Sequence, residues 1–193
     1  MLQFFLEFSM QFHTLKQGWT DQPLSDLKVL CSLDIKHSRI SASFQVSEPS
    51  LRAENFGFNQ KVWEDSCVEL FLSFDGNNYY NFEINCIGSV LGQYGPDRHN
   101  RKFIDEKMLR LIKVKSSLGK VPFGAVSTPA NYDIDIKIPA EIFVFDKDPD
   151  LKKARGNIYK CADRSPTPHY MYLYEITTEK PDFHRPEFFR ELF

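Results

Sequence analysis

Hydrophobic and polar residues alternate with a period of two along much of this chain. Val29, Cys31, Leu33 and Ile35 fall on one side of a strand, and Ser32 and Asp34 on the other. Beyond His37-Ser38-Arg39 the alternation resumes. Ile40, Ala42, Phe44 and Val46 are set against Ser41, Ser43, Gln45 and Ser47. This predicts an antiparallel hairpin with one buried and one wet face. A second pair follows, in which Val68, Leu70, Leu72 and Phe74 share a face, as do Tyr80, Phe82, Ile84 and Cys86. Asp75-Gly76-Asn77-Asn78 between them has the composition of a turn. Matching the apolar sets places Phe74 opposite Tyr80, Leu70 opposite Ile84 and Val68 opposite Cys86. It also places Glu69 opposite Asn85 and Phe71 opposite Glu83. The second face then carries Glu69, Asn81, Glu83 and Asn85.

Further strands are expected over residues 110–116, 132–138, 157–162 and 170–177, with Pro139 ending the second. Residues 140–145 suit a short helical turn. No long amphipathic helix, repeat or low-complexity run interrupts the pattern. Many short strands separated by turn signals define an all-β fold, an antiparallel β-sandwich of jelly-roll type with long loops and little helix. Loops 93–102 and 118–131 are long for hairpins and are candidate rims of a binding site.

The length of 193 residues suits a single domain, 1–193. Its 18 Phe and 8 Tyr fit aromatic-rich strands. A formal charge of −2 without a basic cluster argues against nucleic acid as a partner. Residues 1–12 are apolar but lack a basic leader and are too short to span a bilayer, so no membrane segment or signal peptide is expected. A cytoplasmic or processed extracytoplasmic protein is the corresponding expectation. Cys31, Cys67, Cys86 and Cys161 have neither Cys-x-x-Cys nor zinc-finger spacing, and read as buried free thiols.

The segment Val62-Trp63-Glu64-Asp65-Ser66-Cys67-Val68-Glu69-Leu70-Phe71 puts an indole six positions before a carboxylate in an apolar strand. The Asn81–Asn85 alternation and the Asn157-Ile158-Tyr159-Lys160-Cys161-Ala162-Asp163 strand add planar polar groups. Residues 181–189 add three phenylalanines, two prolines and a histidine. In their order and spacing these segments, from about His13 onward, resemble the family 9 carbohydrate-binding modules and their stand-alone relatives. The resemblance implies a non-catalytic β-sandwich that binds a mono- or oligosaccharide, in some settings as an accessory to polysaccharide breakdown. It implies that Trp63 stacks on a sugar ring and that Glu69 and Asn85 hold its hydroxyls. It also implies structural calcium in some members. The second tryptophan expected near Leu173 is replaced by tyrosines, so Tyr172 or Tyr174 is the candidate for the opposite wall.

Each candidate has a plainer reading. Trp63 and Trp19 can be packing residues, and Glu69 can be an exposed strand residue or an ion-pair partner. Arg98, with five fixed donors, and Lys160 are rim candidates or solvated side chains. Asp75, Asn77 and Asp97 offer oxygens suited to calcium, although turn geometry alone explains the Asp75–Asn78 sequence. Glu69 with Glu83 suggests a glycoside hydrolase as an alternative. A structural or interaction module that has lost sugar binding is another. His169 and Met171 could ligate haem only by fold analogy. Residues 181–189 read as a C-terminal lock in which Phe183, Phe188 and Phe189 plug the sandwich and His184 and Arg185 tie the loop.

Overall fold

The computed structural model describes residues 11–193. The leading apolar stretch, up to residue 10, lies outside the described residues. Strands β1 (His13–Thr14), β2 (Lys16–Gln17), β3 (Lys28–Lys36), β4 (Arg39–Glu48) and β5 (Leu51–Ala53) come first. Next are β6 (Cys67–Ser73), β7 (Tyr79–Asn85), β8 (Val90–Gly95), β9 (Lys102–Phe103) and β10 (Lys113–Ser116). The chain closes with β11 (Phe123–Val126), β12 (Ala130–Pro139), β13 (Arg155–Cys161), β14 (Tyr170–Tyr172) and β15 (Arg190–Glu191). A four-residue helix, α1 (Glu106–Leu109), and single 3-10 turns complete the described secondary structure. No described helix is long and apolar enough to cross a membrane.

One large sheet runs β1-β3-β4-β12-β10 and a second β2-β14-β13-β6-β7-β8-β9, with β15 also pairing β13, while β11 and β5 form a separate two-stranded sheet. The β3–β4 hairpin forms as its alternation requires. Ile35 pairs with Ile40, and His37 and Ser38 turn the chain with φ of 51° and 56°. Positive φ at both central residues is the mirror-image turn whose twist matches that of a hairpin. Strand β12 alternates buried and exposed positions along its length, and its outer face is wet. Pro139 ends it at the 3-10 turn Ala140–Ile142.

The central strands of the second sheet differ. Every residue of β6 and β7 is buried. Val68, Leu70, Tyr80, Phe82 and Ile84 pack against the first sheet in the main core. The opposite face, on which Glu69, Asn81, Glu83 and Asn85 were expected, also carries Phe71, Tyr79 and Tyr159 in a second core roofed by Phe183 and Phe189. The C-terminal segment and the loop after β8 therefore make a third, partial layer.

The β6–β7 register is offset by two residues from the sequence expectation. Leu70 faces Phe82, Leu72 faces Tyr80, and Glu69 faces Glu83, not Asn85. The turn explains this shift. It pivots on Gly76, at φ 76°, and Ser73 Oγ closes it by donating to the Asn78 carbonyl at 2.6 Å. A two-residue offset keeps every side chain on its face and changes only its neighbour across the strand.

Other elements depart locally. Residues 110–112 lead out of α1, and the strand begins at Lys113. Loop 118–131 contains β11, which pairs with β5. Strand β14 stops at Tyr172 because the Asn157 side chain interrupts the ladder: Leu173 N still donates to its register partner Ile158 O, but Ile158 N and Tyr174 N both donate to Asn157 Oδ1.

Candidate functional site

On the outer face of the second sheet lies a cavity of about 440 Å³, within the size range of small-ligand sites. Its floor is strand-built: Glu69 from β6, Glu83 from β7, Leu91 and Gln93 from β8, and Cys161 from β13. Trp63, on the 3-10 turn Val62–Glu64, forms one wall. Arg98, His99 and Arg101 come from the loop after β8, as expected for a rim. Tyr170, Phe103 and the segment 181–184 close the remaining sides.

Glu69 and Glu83 are directly opposite one another, only 3% and 4% exposed. Glu69 Oε1 accepts a hydrogen bond from the Cys161 thiol at 3.0 Å. Glu83 Oε1 accepts from Asn81 Nδ2 at 2.8 Å, and its Oε2 has no protein partner among the described residues. Burial raises the Glu69 carboxyl well above the usual carboxylate range, and the neighbouring Glu83 raises it further. Burial also brings Glu83 up to about 7, against the opposing pull of Arg101. Two buried carboxylates on adjacent strands resist both being charged, so the pair retains a proton near neutral pH.

The rim is cationic but mostly engaged. Arg98 lies 3.6 Å from Asp182, and the Arg101 Nε donates to the Arg98 carbonyl at 3.0 Å. Arg101 Nη1 is buried without a protein partner among the described residues. Burial raises the Asp163 carboxyl, against the opposing pull of Arg98. His184 is brought down to about 3 by burial and by Arg101 and Arg98, so its ring is neutral. It bonds the Tyr79 hydroxyl at 2.9 Å and packs 4.9 Å from the Phe71 ring.

Trp63, Glu69 and Arg98 therefore meet in one cavity. Trp63 is half-buried, and its indole makes no ring pair among the described residues. Asn85, Lys160, Tyr172 and Tyr174 lie elsewhere, for identifiable reasons. Asn85 is on the cavity face but sits under the loop before β6. Its Nδ2 donates to the Asn55 carbonyl at 2.7 Å and to Asp65 at 2.9 Å, and its Oδ1 accepts from Ser89 N at 2.9 Å. Lys160 alternates with the cavity residue Cys161 and so points between the sheets. There its Nζ meets Glu48 at 2.8 Å and His169 at 3.0 Å, with all three side chains buried. His169 Nδ1 lies 2.8 Å from the Thr167 carbonyl, so that nitrogen carries the proton and Nε2 accepts from Lys160. Met171 is in the main core, and this His–Met pair is occupied with packing and hydrogen bonding.

Tyr172 packs edge-on at 5.5 Å against Trp19, whose Nε1 donates to the Thr178 carbonyl. Tyr174 donates to the Glu191 carbonyl at 2.8 Å. Tyr170, one pleat earlier on the same face as Tyr172, is the residue of this tyrosine run that reaches the cavity. Alternation gives Tyr170, Tyr172 and Tyr174 the same face and does not single out Tyr170. Arg101, Gln93 and Phe103 carried no signal beyond their place in or beside a long loop.

Segment 181–189 is both a lock and a wall. Phe183 stacks on Tyr159 at 4.1 Å, and Phe189 packs against Phe71 and Tyr79. Arg185 pairs with Glu187 on the surface and does not tie the loop by its side chain.

The calcium candidates do not form a cage. Asp75 accepts from Asn77 N, Asn78 N and Asn78 Nδ2, and Asp97 accepts the same pattern from His99 N, Asn100 N and Asn100 Nδ2. Both are turn-capping carboxylates whose two oxygens already serve N–H donors. Calcium requires six to eight convergent oxygens.

A β-sandwich with an aromatic wall beside a carboxylate floor has the architecture of a small-ligand binding module. Residues 10–193 match the family model described as "Carbohydrate-binding family 9", and the chain belongs to that family. It is similar to a protein from Bacteroides uniformis ATCC 8492 described as a "putative carbohydrate-binding protein". Identity is 35% over 93% of this chain and 84% of the other, with a TM-score of 0.87. Its fold is also similar to that of a family 9 module from Caldicellulosiruptor kristjanssonii. The glucose complex gives 13% identity, 94% and 82% coverage and a TM-score of 0.58. The cellotriose complex gives 13%, 93% and 80%, and 0.57. No curated protein matches the sequence.

Proposed function

We infer that this protein binds a mono- or oligosaccharide, without cleaving it, in the cavity between Trp63 and the Arg98–Arg101 loop. The observation that carries this reading is the convergence of a half-buried indole with Glu69, Glu83 and Arg101 around one hollow. A pyranose presents an apolar C–H face and an equatorial belt of hydroxyls. The indole suits the first, since a flat ring excludes water over a large area. Carboxylate oxygens and a guanidinium suit the second, as acceptors and donors of fixed direction. Glu83 Oε2 and Arg101 Nη1, both buried without protein partners, are an acceptor and a donor that one sugar hydroxyl could satisfy. Phe103 and Tyr170 are the candidates for the second aromatic contact.

The buried Glu69–Glu83 pair is the feature that favours a hydrolytic reading. Against it, both carboxylates rise from adjacent strands of one floor and do not flank the cavity from two sides. Release of a chromogenic aglycone should therefore be undetectable.

Calorimetry with glucose, cello-oligosaccharides and xylo-oligosaccharides tests the binding reading. Trp63→Ala should weaken binding by ~2 kcal/mol or more, the loss typical of a central aromatic contact. The melting temperature should fall by no more than about 4 °C. A large stability loss with unchanged sugar affinity would assign Trp63 to packing.

A further inference from the structure

Strand pairing brings together a donor set that linear spacing conceals. Cys67 on β6 faces Cys161 on β13, and Glu69 lies two residues along β6 on the same face. The two sulfurs and a Glu69 oxygen all lie within 4.8 Å of one another, and all three residues are buried. Cys161 and Glu69 line the cavity, so solutes can reach the cluster from that side.

Two sulfurs and a carboxylate oxygen are the donors of a borderline-soft divalent cation. With metal–sulfur bonds of ~2.3 Å, sulfurs at two corners of a tetrahedron stand about 3.8 Å apart. Small side-chain rotations bring the present cluster to that size. A second observation points to the same place. Glu83 is directly opposite Glu69 and 4% exposed, and its Oε2 has no protein partner among the described residues.

We propose that Cys67, Cys161 and Glu69, completed by Glu83, form a binding site for a divalent cation of the zinc class. Without metal the thiols are protonated. Burial holds Cys67 up to about 12 and Cys161 well above its usual value, and Cys161 donates to Glu69. Uptake breaks two S–H bonds and forms two metal–sulfur bonds, and the two thiol protons leave to the buffer together with the proton shared by Glu69 and Glu83. Arg101 and Arg98 offset the negative charge of the completed site. The site uses Glu69, so bound metal and sugar should compete. The metal site itself does not depend on the saccharide reading and is tested without sugar.

The full chain, with thiols kept reduced, is titrated with Co²⁺ and then Zn²⁺. One equivalent of Co²⁺ should produce tetrahedral ligand-field bands and thiolate-to-cobalt charge transfer, both displaced by Zn²⁺. X-ray absorption of the zinc form should show two sulfur and two oxygen neighbours. Cys67→Ala and Cys161→Ala should each cut the charge-transfer intensity by about half or more and weaken uptake at least tenfold. Lack of stoichiometric uptake by the wild type, or a zinc shell without sulfur, overturns the proposal. These two outcomes are read on the native chain, so a variant that fails to fold does not obscure them.

Discussion

Single residues in this protein are governed by which face of a strand they occupy. Lys160 and Cys161 are neighbours, yet one lies between the sheets and the other on the cavity floor. Lys160, Glu48, His169 and Tyr132 form a buried polar network, with the Tyr132 hydroxyl donating to Glu48 at 2.5 Å. Lys160→Met would leave the Glu48 carboxylate buried without its cation. This should cost about 3–5 kcal/mol in urea unfolding. The Lys160 ammonium, 2.8 Å away, outweighs burial and holds Glu48 down to about 2, against an ordinary 4.5. Its contribution to stability is therefore complete above pH 4.5 and lost as pH falls toward 2. Burial and Lys160 also lower His169, so its neutral form contributes above its ordinary 6.5 and is lost below it in the same direction. Glu83 has the opposite sign. With its carboxyl raised to about 7, its contribution is present below 4.5 and lost as pH rises through about 7. Glu83→Gln should gain stability relative to wild type as pH increases from about 5 to 8. Parallel urea titrations would detect this.

At the scale of elements, the cavity depends on how one loop leaves one strand. Gly95 ends β8, where a Cβ would stand 2.2 Å from the Asn100 carbonyl oxygen. Gly95→Ala must displace the turn capped by Asp97, and Arg98 and Arg101 with it. The expected result is a loss of sugar affinity of about tenfold, or ~1.4 kcal/mol, with a smaller change in stability. Calorimetry and thermal melting on the same sample separate the two effects. The strands of this site were legible as strands, because alternation over seven or more residues has one interpretation. Their neighbours were less so. Choosing between Asn85 and Glu83 as the partner of Glu69 required the loop length, set by Gly76 and Ser73 and not by the apolar pattern. The tyrosine run shows the same limit. Its parity fixed a face, but the end of β14 determined which tyrosine reached the cavity.

The whole molecule is a two-sheet sandwich with a partial third layer, and that layer supplies part of the cavity. Phe189, 2% exposed, packs on Phe71 and Tyr79 beneath the C-terminal segment. Phe189→Ala should cost about 3–5 kcal/mol by leaving a void in the second core. Sugar binding should weaken with it, because Phe183 and His184 of the same segment form a wall. Trp63→Ala is expected to do the reverse, losing affinity while stability is largely kept. Comparing the two variants distinguishes a wall held by packing from a residue that contacts the ligand.

Resemblance to the family 9 modules marked out Trp63 and Glu69, while the period-two alternation by itself determined the strands, the antiparallel sandwich and the inward face of each strand. These are local properties, fixed by side-chain polarity and the geometry of an extended chain. Tertiary structure decided which wet-looking face is covered and that Glu69 faces Glu83. It also decided that Lys160 is an interior cation, and that Cys67 and Cys161 stand side by side. Those outcomes depend on pairings between segments up to about a hundred residues apart, such as Cys67 with Cys161. Alternation determines the face a residue takes, but the folded register determines what it meets there.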